Sequence, residues 1–355
     1  MFDRDSNRAI AASLPREYLP GLRRRSGILV ASVTVATLGW SLSAHAAKYK
    51  EFDPPGSIQT HAIAISAGVI AGSYQDGNRI THGFVRAADG AVTSFDAPGS
   101  IYTQAYSINH GGSITGIWID SGDVTHGFVR AADGTIASFD PSGSFGTYAY
   151  GINRRGAVTG SYVDDNIMFN GYLRVADGTI TVFNPSGSTN TFPQSINDSG
   201  TIVGYYSANN HLNHGFVRAA DGTFTLFDPP GSDATYALSI NKAGDIAGYY
   251  SDSNNVSHGF IRTAGGTITS FDPSGSSGVE AASIDNKGTI AGYFIDGNGA
   301  DHGYVRKSGG TIKVFDPPGS IYTMAQGIDG AHADEGAITG DEDRKGGFHG
   351  FLRTR

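Results

Sequence analysis

The chain has 355 residues, with 25 lysines and arginines, 33 aspartates and glutamates, and no cysteine. The absence of cysteine excludes disulfides, thiol catalysis and cysteine metal sites. Six of the basic and three of the acidic residues lie before residue 47, which leaves 19 against 30 and a formal charge of −11 for the remainder. Nucleic acid and anionic lipid attract positive surfaces, so neither is expected as a partner.

The first 46 residues have the pattern of a secretory signal peptide. A basic cluster, Arg23 to Arg25, precedes an uncharged, mostly apolar run from Gly27 to Ala44. The run ends in Ala-His-Ala, which suits a signal peptidase, so we expect cleavage before Ala47. A single membrane anchor is the alternative, although the run is shorter than a span of roughly 20 residues. We expect a secreted or periplasmic protein without a membrane span after cleavage, exported by the general secretory or the twin-arginine route.

A near-identical phrase recurs seven times. It begins with His-Gly, or once with Asn-Gly, at residues 82, 126, 170, 214, 258, 302 and 349. The first five intervals are 44 residues long and the last is 47. A repeat that fills residues 47–355 predicts one repeat domain over that range and no second domain.

Each repeat resolves into four short strands separated by Gly, Asn, Asp and Pro. In one unit these strands are YALSI, DIAGYYSD, HGFIRT and TITSFD, and none of them has a helical period. Asp-Gly joins the third and fourth strands in most units, which predicts a tight turn with two residues at positive φ. That register places Phe84 opposite Phe95 and gives the other units equivalent aromatic pairs.

The two ends of the repeat complement each other. The region opens with YKEFDPPGS, a fourth strand without a third, and closes with HGFLRTR, a third strand without a fourth. Pairing the two ends would remove two bare sheet edges. Four-stranded units of about 40–45 residues are typical of propeller blades. The sequence therefore predicts an all-β, seven-bladed β-propeller of four-stranded blades, with the ring closed by the N-terminal strand joining the C-terminal blade. An open β-solenoid is the alternative.

The repeated phrases also resemble a bacterial family known as "probable extracellular repeat, HAF family". The resemblance is carried by HGFVR, by SIN followed by a glycine turn, and by the I-x-G-x-Y strand, and it covers essentially all of residues 47–355. The family name refers to His-Ala-Phe, whereas this chain has Gly at the middle position. The resemblance implies an exported repeat protein, and it implies neither an activity nor catalytic residues.

Residues present in every unit are expected to be structural. Each repeated histidine lacks a second His at ligand spacing, and Asn170 replaces it once, so we expect a hydrogen bond at a strand start rather than a metal ligand. The Asn or Asp that ends each SIN-type strand is expected to initiate a turn. The loops at 76–78, 164–166 and 296–299 contain Asp, Asn and Gly, but none supplies a full calcium-ligand set.

The units differ most in their first strand, T-x-A-x-S-I-N. The first variable position holds His61, Gln104, Tyr148, Phe192, Tyr236, Glu280 and Met324, and the second holds Ile63, Tyr106, Tyr150, Gln194, Leu238, Ala282 and Gln326. Two residues apart on a strand share a face, so each blade is predicted to bring a different pair to one equivalent place. Such a ring would suit a glycan or a peptide at the propeller mouth. Packing between blades is the alternative.

The sequence supports two hypotheses about the function. The first is a ligand-binding or scaffold module of the cell envelope or exterior, monomeric, without a cofactor, whose partner is a glycan, a peptide or an envelope protein. The second is a hydrolase or lyase acting on an extracellular polymer, with His61 and Glu280 as the candidate catalytic residues. The longer loop of the last unit contains His332, Asp334 and Glu335, a conceivable metal site for which a solvated acidic loop is the alternative.

Overall fold

The structure is a computed structural model that describes residues 47–209, 212–330, 336–344 and 347–354. The expected signal peptide, residues 1–46, lies outside the described residues, as does the loop with His332, Asp334 and Glu335. The described residues form 28 β-strands and no helix. The predicted all-β class is confirmed.

The strands, numbered in chain order, fall into four groups by their place in the repeat. First strands are β2 (Ser57–Ser66), β6 (Tyr102–Ile108), β10 (Gly146–Ile152), β14 (Ser188–Ile196), β18 (Ala234–Ile240), β22 (Ser276–Ile284) and β26 (Tyr322–Asp329). Second strands are β3 (Val69–Asp76), β7 (Ile114–Ile119), β11 (Val158–Val163), β15 (Ile202–Ala208), β19 (Ile246–Ser251), β23 (Ile290–Asp296) and β27 (Ala337–Arg344). Third strands are β4 (Thr81–Arg86), β8 (Thr125–Arg130), β12 (Phe169–Arg174), β16 (Asn213–Arg218), β20 (Ser257–Arg262), β24 (Asp301–Arg306) and β28 (Gly347–Thr354). Fourth strands are β1 (Lys48–Phe52), β5 (Val92–Phe95), β9 (Ile136–Phe139), β13 (Ile180–Phe183), β17 (Phe224–Phe227), β21 (Ile268–Phe271) and β25 (Ile312–Phe315).

Four strands of this kind form one antiparallel sheet, which we call a unit. Unit 1 contains β2 to β5, units 2 to 6 follow in order through β25, and unit 7 contains β26, β27, β28 and β1. The N-terminal strand pairs antiparallel with the C-terminal strand, with Phe52 opposite Gly350. A single parallel residue pair, Thr81 with Tyr102, also joins units 1 and 2. Each first strand contacts the first strand of the next unit, and β26 contacts β2.

The predicted pairing register of the third and fourth strands is wrong by one residue. Gly83 lies opposite Phe95, and Phe84 lies opposite Ser94. Only Gly90 has positive φ in this turn, and its N–H donates to the carbonyl of Ala87 at 2.9 Å. The sequence therefore forms a wider hairpin loop with one left-handed glycine, a common alternative to the two-residue turn.

Because of this register, the aromatic pairs join neighbouring units instead of neighbouring strands. Phe95 packs edge-on against Phe128 of the next unit, with ring centroids 5.9 Å apart. The Arg130 guanidinium lies over the same Phe95 ring at 5.0 Å. The equivalent ring pairs are Phe52–Phe84, Phe139–Tyr172, Phe183–Phe216, Phe227–Phe260, Phe271–Tyr304 and Phe315–Phe351. Each of these fourth-strand rings also carries an arginine of the following unit.

The residue that ends each first strand turns the chain, as predicted, and also joins two units. Asn109 Oδ1 accepts the N–H groups of Gly111 and Ser113, while its Nδ2 donates to the carbonyl of Asn153 at 2.9 Å. The same interunit bond recurs from Asn153, Asn197 and Asn241, each to the equivalent residue of the next unit. Amide side chains therefore connect successive units 2 to 6.

We expect Gly259→Ala to destabilise the fold. An added Cβ would lie 2.8 Å from the Phe271 ring, which Tyr304 and Arg306 of the next unit hold in place. Overpacking of this kind costs about 1–3 kcal/mol in the free energy of unfolding, measured by urea denaturation. The control is Gly309→Ala, where nothing lies within 4 Å of the added Cβ. Equal stabilities of the two variants would contradict the packing account.

We expect Asp285→Asn to stabilise the fold. Asp285 is buried, its Oδ1 accepts two backbone N–H groups, and its Oδ2 has no hydrogen-bond partner among the described residues. An asparagine would supply the Nδ2 donor that units 2 to 5 have, directed at the carbonyl of Asp329. The gain should be about 1 kcal/mol in unfolding free energy. The reverse change at the equivalent residue of unit 3, Asn153→Asp, should destabilise the fold. A gain in stability in that variant would refute the argument.

Candidate functional site

The repeated histidines form hydrogen bonds within their own units, as the sequence predicts. His82 Nδ1 lies 2.8 Å from Asp96 Oδ2, and an ionised carboxylate can only accept, so the imidazole N–H donates. The His82 ring also lies against Tyr74. The equivalent pairs are His126–Asp140, His214–Asp228, His258–Asp272, His302–Asp316 and, between the two chain ends, His349–Asp53. Where Asn170 replaces histidine, its partner is Asn184, at 2.7 Å.

The second variable position coincides with a β-bulge in every first strand. In unit 2, Ala105 pairs with Gly116 and Ser107 with Thr115, so Tyr106 is the extra residue of the bulge. The same register shift falls around Ile63, Tyr150, Gln194, Leu238, Ala282 and Gln326. A bulge re-aims the side chain of its extra residue. Sequence reasoning missed the bulge, because it assumed a simple alternation of side chains between the two faces of the strand.

Residues at the first variable position lie largely out of solvent. His61, Gln104, Tyr148 and Phe192 are buried, whereas Tyr236, Glu280 and Met324 are half-buried. The Tyr236 ring packs on Tyr205 of the preceding unit and on its own cross-strand partner Tyr249. Phe192 and His61 also contact a neighbouring unit, so several residues at this position contribute to packing between units.

Aromatic rings form a continuous series from unit 2 to unit 5. Tyr106 packs on Tyr150 across the unit boundary, with ring centroids 5.5 Å apart, and Tyr150 lies against Tyr148. The series continues through Phe169, Phe192 and Tyr205 to Tyr236. Of these residues, Phe169 and Tyr205 lie outside the first strand, and sequence reasoning missed them.

A group of phenols surrounds one buried amide at the start of this series. Gln104 Oε1 accepts hydrogen bonds from the hydroxyls of Tyr102 and Tyr106. Burial raises the pKa of Tyr102 to about 12 and that of Tyr106 well above its ordinary value. These phenols are therefore neutral at physiological pH and act as hydrogen-bond donors.

His61 has an acidic partner that sequence reasoning missed. Its Nδ1 lies 2.9 Å from Asp341 Oδ2, and the other oxygen of Asp341 accepts the N–H of Ala62 at 2.7 Å. Asp341 belongs to unit 7 and His61 to unit 1, so the pair spans the contact between the last and first units. The sequence signal was the departure TGDED, which has three acidic residues at a place where the other units have uncharged residues.

Glu280 lies in a different environment. Its Oε2 accepts a hydrogen bond from Tyr293, its cross-strand partner, at 2.7 Å. Glu280 belongs to unit 6 and His61 to unit 1, with unit 7 between them along the chain. The contacts of the described residues do not bring the two candidate catalytic residues together.

Unit 7 contains a second acidic group near the chain ends. The Glu342 carboxylate is buried and binds Arg344, which also binds Glu51 at 2.7 Å. Burial raises the pKa of Glu342, and Arg344 opposes that shift. Glu51, Asp53 and His349 offer ligand atoms within 4.8 Å of one another. Because Arg344 already neutralises Glu51 and the His–Asp pair recurs in other units, we interpret this group as an ion-pair cluster.

Comparison with solved structures establishes the architecture. The β-propeller domain of the Trilobed protease from Pyrococcus furiosus, described as having an open velcro topology, superposes with a TM-score of 0.60 over 83% of this chain and 94% of that one, at 12% identity. The fold is a β-propeller. No helix in the described ranges has the length and apolar character needed to span a membrane.

Two further solved structures resemble this propeller. A puromycin hydrolase matches with a TM-score of 0.55 and 12% identity, over 82% of this chain and 52% of that one. TolB from Acinetobacter baumannii matches with a TM-score of 0.50 and 11% identity, over 79% of this chain and 66% of that one. At such identities these matches establish the fold alone. No protein-family model and no curated protein sequence matches the propeller chain.

The His302–Asp316 pair should make stability depend on pH. Burial lowers the pKa of His302, but the hydrogen bonds and charges of Asp316 and Asp296 outweigh it and raise that pKa overall. The protonated imidazole therefore stabilises the fold below about pH 6.5, and this contribution is lost as pH rises through the folded-state pKa.

The matched variant replaces both residues by asparagine, which reproduces the native Asn170–Asn184 pair. Urea unfolding should show a larger deficit for this double variant at about pH 5.5 than at about pH 8.5. A deficit that is independent of pH, or larger at the higher pH, would contradict the assignment.

Proposed function

We propose that the propeller has seven blades and is closed by the pairing of β1 with β28. Two observations support closure: the β1–β28 ladder, and the contact between the first strands β26 and β2. The His349–Asp53 bond joins β28 to the residue after β1, and the hydrogen bond from the Gly68 N–H to Asp329 joins unit 1 to unit 7. An experimental density map with six blades, or with a gap between β1 and β28, would rule this architecture out.

We also propose that the protein is exported, with residues 1–46 removed as a signal peptide. The basic cluster, the apolar run and the Ala-His-Ala site support export, as does the resemblance to the HAF repeat family. N-terminal sequencing of protein recovered from the periplasm or the medium should begin at Ala47. Recovery only from the cytoplasm, with residues 1–46 retained, would contradict export.

The function that the geometry supports best is binding of a glycan or a peptide near the propeller axis. The observation that carries this proposal is the bulge at the second variable position of all seven first strands. The flanking positions of the strand are nearly uniform, with Ala at six of seven positions before the bulge. The residue at the bulge itself varies, because the seven units carry Ile, Tyr, Tyr, Gln, Leu, Ala and Gln there.

The side chains at these bulges suit a ligand with both hydroxyl groups and apolar faces. Tyr106 and Tyr150 offer adjacent aromatic rings, and Gln194 and Gln326 offer amide groups on other units. Sugar rings stack on aromatic faces and exchange hydrogen bonds with amides and phenols, and peptides do the same through their backbone. If residues 47–355 bind no such ligand, a scaffold role is the remaining hypothesis.

A thermal-shift screen against glycans, peptidoglycan fragments and peptides tests this proposal. A ligand at about 100 times its dissociation constant should add roughly 2.7 kcal/mol to the free energy of unfolding. The double variant Tyr106→Ser/Tyr150→Ser should lose that shift, whereas Tyr49→Ser, on the fourth strand β1, should keep it. No shift with any compound, or an equal shift in both variants, would remove the axial site from consideration.

A hydrolase or lyase is the second candidate, and the His61–Asp341 pair is the observation that favours it. Asp341 fixes the proton on Nδ1, which leaves Nε2 as an acceptor suited to a general base. If a bound glycan is turned over, Asp341→Asn and His61→Ala should abolish turnover while the thermal shift persists. Glu280→Gln should have a small effect, because Glu280 has a separate partner.

A further inference from the structure

Four large apolar side chains are exposed at equivalent places in units 7, 1, 2 and 3. They are Ile321, Ile58, Ile101 and Phe145, which we call the apolar arc, and their exposed fractions are 49, 45, 48 and 53%. Each follows the Pro-containing loop that leads into a first strand. Units 4, 5 and 6 carry Thr189, Asp233 and Ser277 at the same place. The apolar character is therefore specific to one part of the repeat and is not required by the fold.

Backbone hydrogen bonds place the arc beside the turns that join second and third strands. The N–H of Ile101 donates to the carbonyl of Ile119, and that of Phe145 to the carbonyl of Val163, both at 2.8 Å. The N–H of Ile321 donates to the backbone carbonyl of Asp343 at 2.7 Å. Ile58 follows Ser57, which pairs with Asp76. All four side chains thus lie next to equivalent turns, on the same end of their units.

The turns beside the arc carry aspartates, together with Arg79 in the turn of unit 1 and Arg344 next to Asp343. Asp76, Asp120 and Asp164 begin the turns of units 1, 2 and 3, and Asp343 lies beside Ile321. The backbone N–H of Ile80 lowers the pKa of Asp76, and that of Val124 lowers the pKa of Asp120, so both carboxylates are charged at neutral pH. An exposed apolar surface bordered by fixed negative charge repels anionic lipid and a second copy of the same acidic face.

In unit 3 this border forms a groove of about 400 Å³. Its lining is Ser142, Gly143, Ser144, Phe145, Tyr162, Asp164 and Asp165. Phe145 and Tyr162 provide aromatic walls, and Asp165 is exposed at the rim. A lysine or arginine side chain would fit such a groove, with its aliphatic part along the rings and its charged head near the carboxylates.

We propose that the apolar arc is a docking surface for a protein segment that carries apolar side chains interspersed with lysine or arginine. The apolar residues of the partner would cover Ile58, Ile101, Phe145 and Ile321, and its basic residues would meet the adjacent aspartates. This surface is separate from the variable positions of the first strands, so its function does not depend on a ligand at the axis.

The test uses the full chain and a triple variant, Ile58→Ser/Ile101→Ser/Phe145→Ser. Serine already occurs at the equivalent position of unit 6, so the substitutions suit the local fold. The matched control, Val182→Ser/Leu226→Ser/Val314→Ser, removes three apolar side chains of similar exposure, 46, 46 and 50%, from fourth strands. Urea unfolding of both triple variants verifies that they are folded.

The probe is an immobilised peptide that alternates leucine with lysine and arginine, compared with one in which glutamate replaces the basic residues. The native chain and the control variant should bind the basic peptide, more weakly at high salt, and the arc variant should bind at least ~10-fold more weakly. Equal binding of the glutamate peptide, equal binding by the arc variant, or no binding of the basic peptide would overturn the proposal. So would association with neutral lipid vesicles, or self-association, that is lost in the arc variant.

Discussion

The whole structure depends on one aromatic contact made at the end of each fourth strand. There a phenylalanine lies over the glycine opposite it, while an aromatic ring and an arginine of the next unit cover its exposed side. Burial lowers the pKa of several of these arginines, Arg86 among them, because the guanidinium loses part of its hydration. The ring face offsets that loss. Because the contact joins units, no unit completes its own core.

The sequence predicted the features that depend on local chemistry. Strand number per unit, complementary ends and a hydrogen bond at each repeated histidine follow from residue types at fixed intervals. The aspartate partners of those histidines were not predicted, because they lie on a different strand. The register of the third and fourth strands did not, because Asp-Gly is compatible with two turns and the choice depends on packing of Phe95 over Gly83. The bulges were missed because an extra residue leaves no trace in an alternating pattern. Asp341 was missed because its partner is 280 residues away in the chain.

The repeat separates structural from variable positions with unusual clarity. Phenylalanine or tyrosine, arginine and glycine solve the same local problem in every unit, and the strand-ending Asn or Asp does so in units 2 to 7. One departure is matched by a change in its partner, because Asn170 bonds Asn184 where other units have a His–Asp pair. The variable side chains are attached to bulges and to strand entries, where substitution leaves the ladder intact. A chain built in this way can alter what it contacts at the axis and at one end without altering how it folds.

The pairing of β1 with β28 also fixes the order in which the molecule can be completed. Synthesis makes β1 before the other described strands and β28 after them, so β1 stays unpaired while those strands are made. Joining segments so distant in sequence carries a larger loop-closure entropy than any hairpin within a unit, which makes it a late folding step. A chain that stops early leaves β1 without a partner and an open edge ready to pair with another molecule. Completion of this sheet therefore distinguishes a chain that contains β28 from one truncated before it.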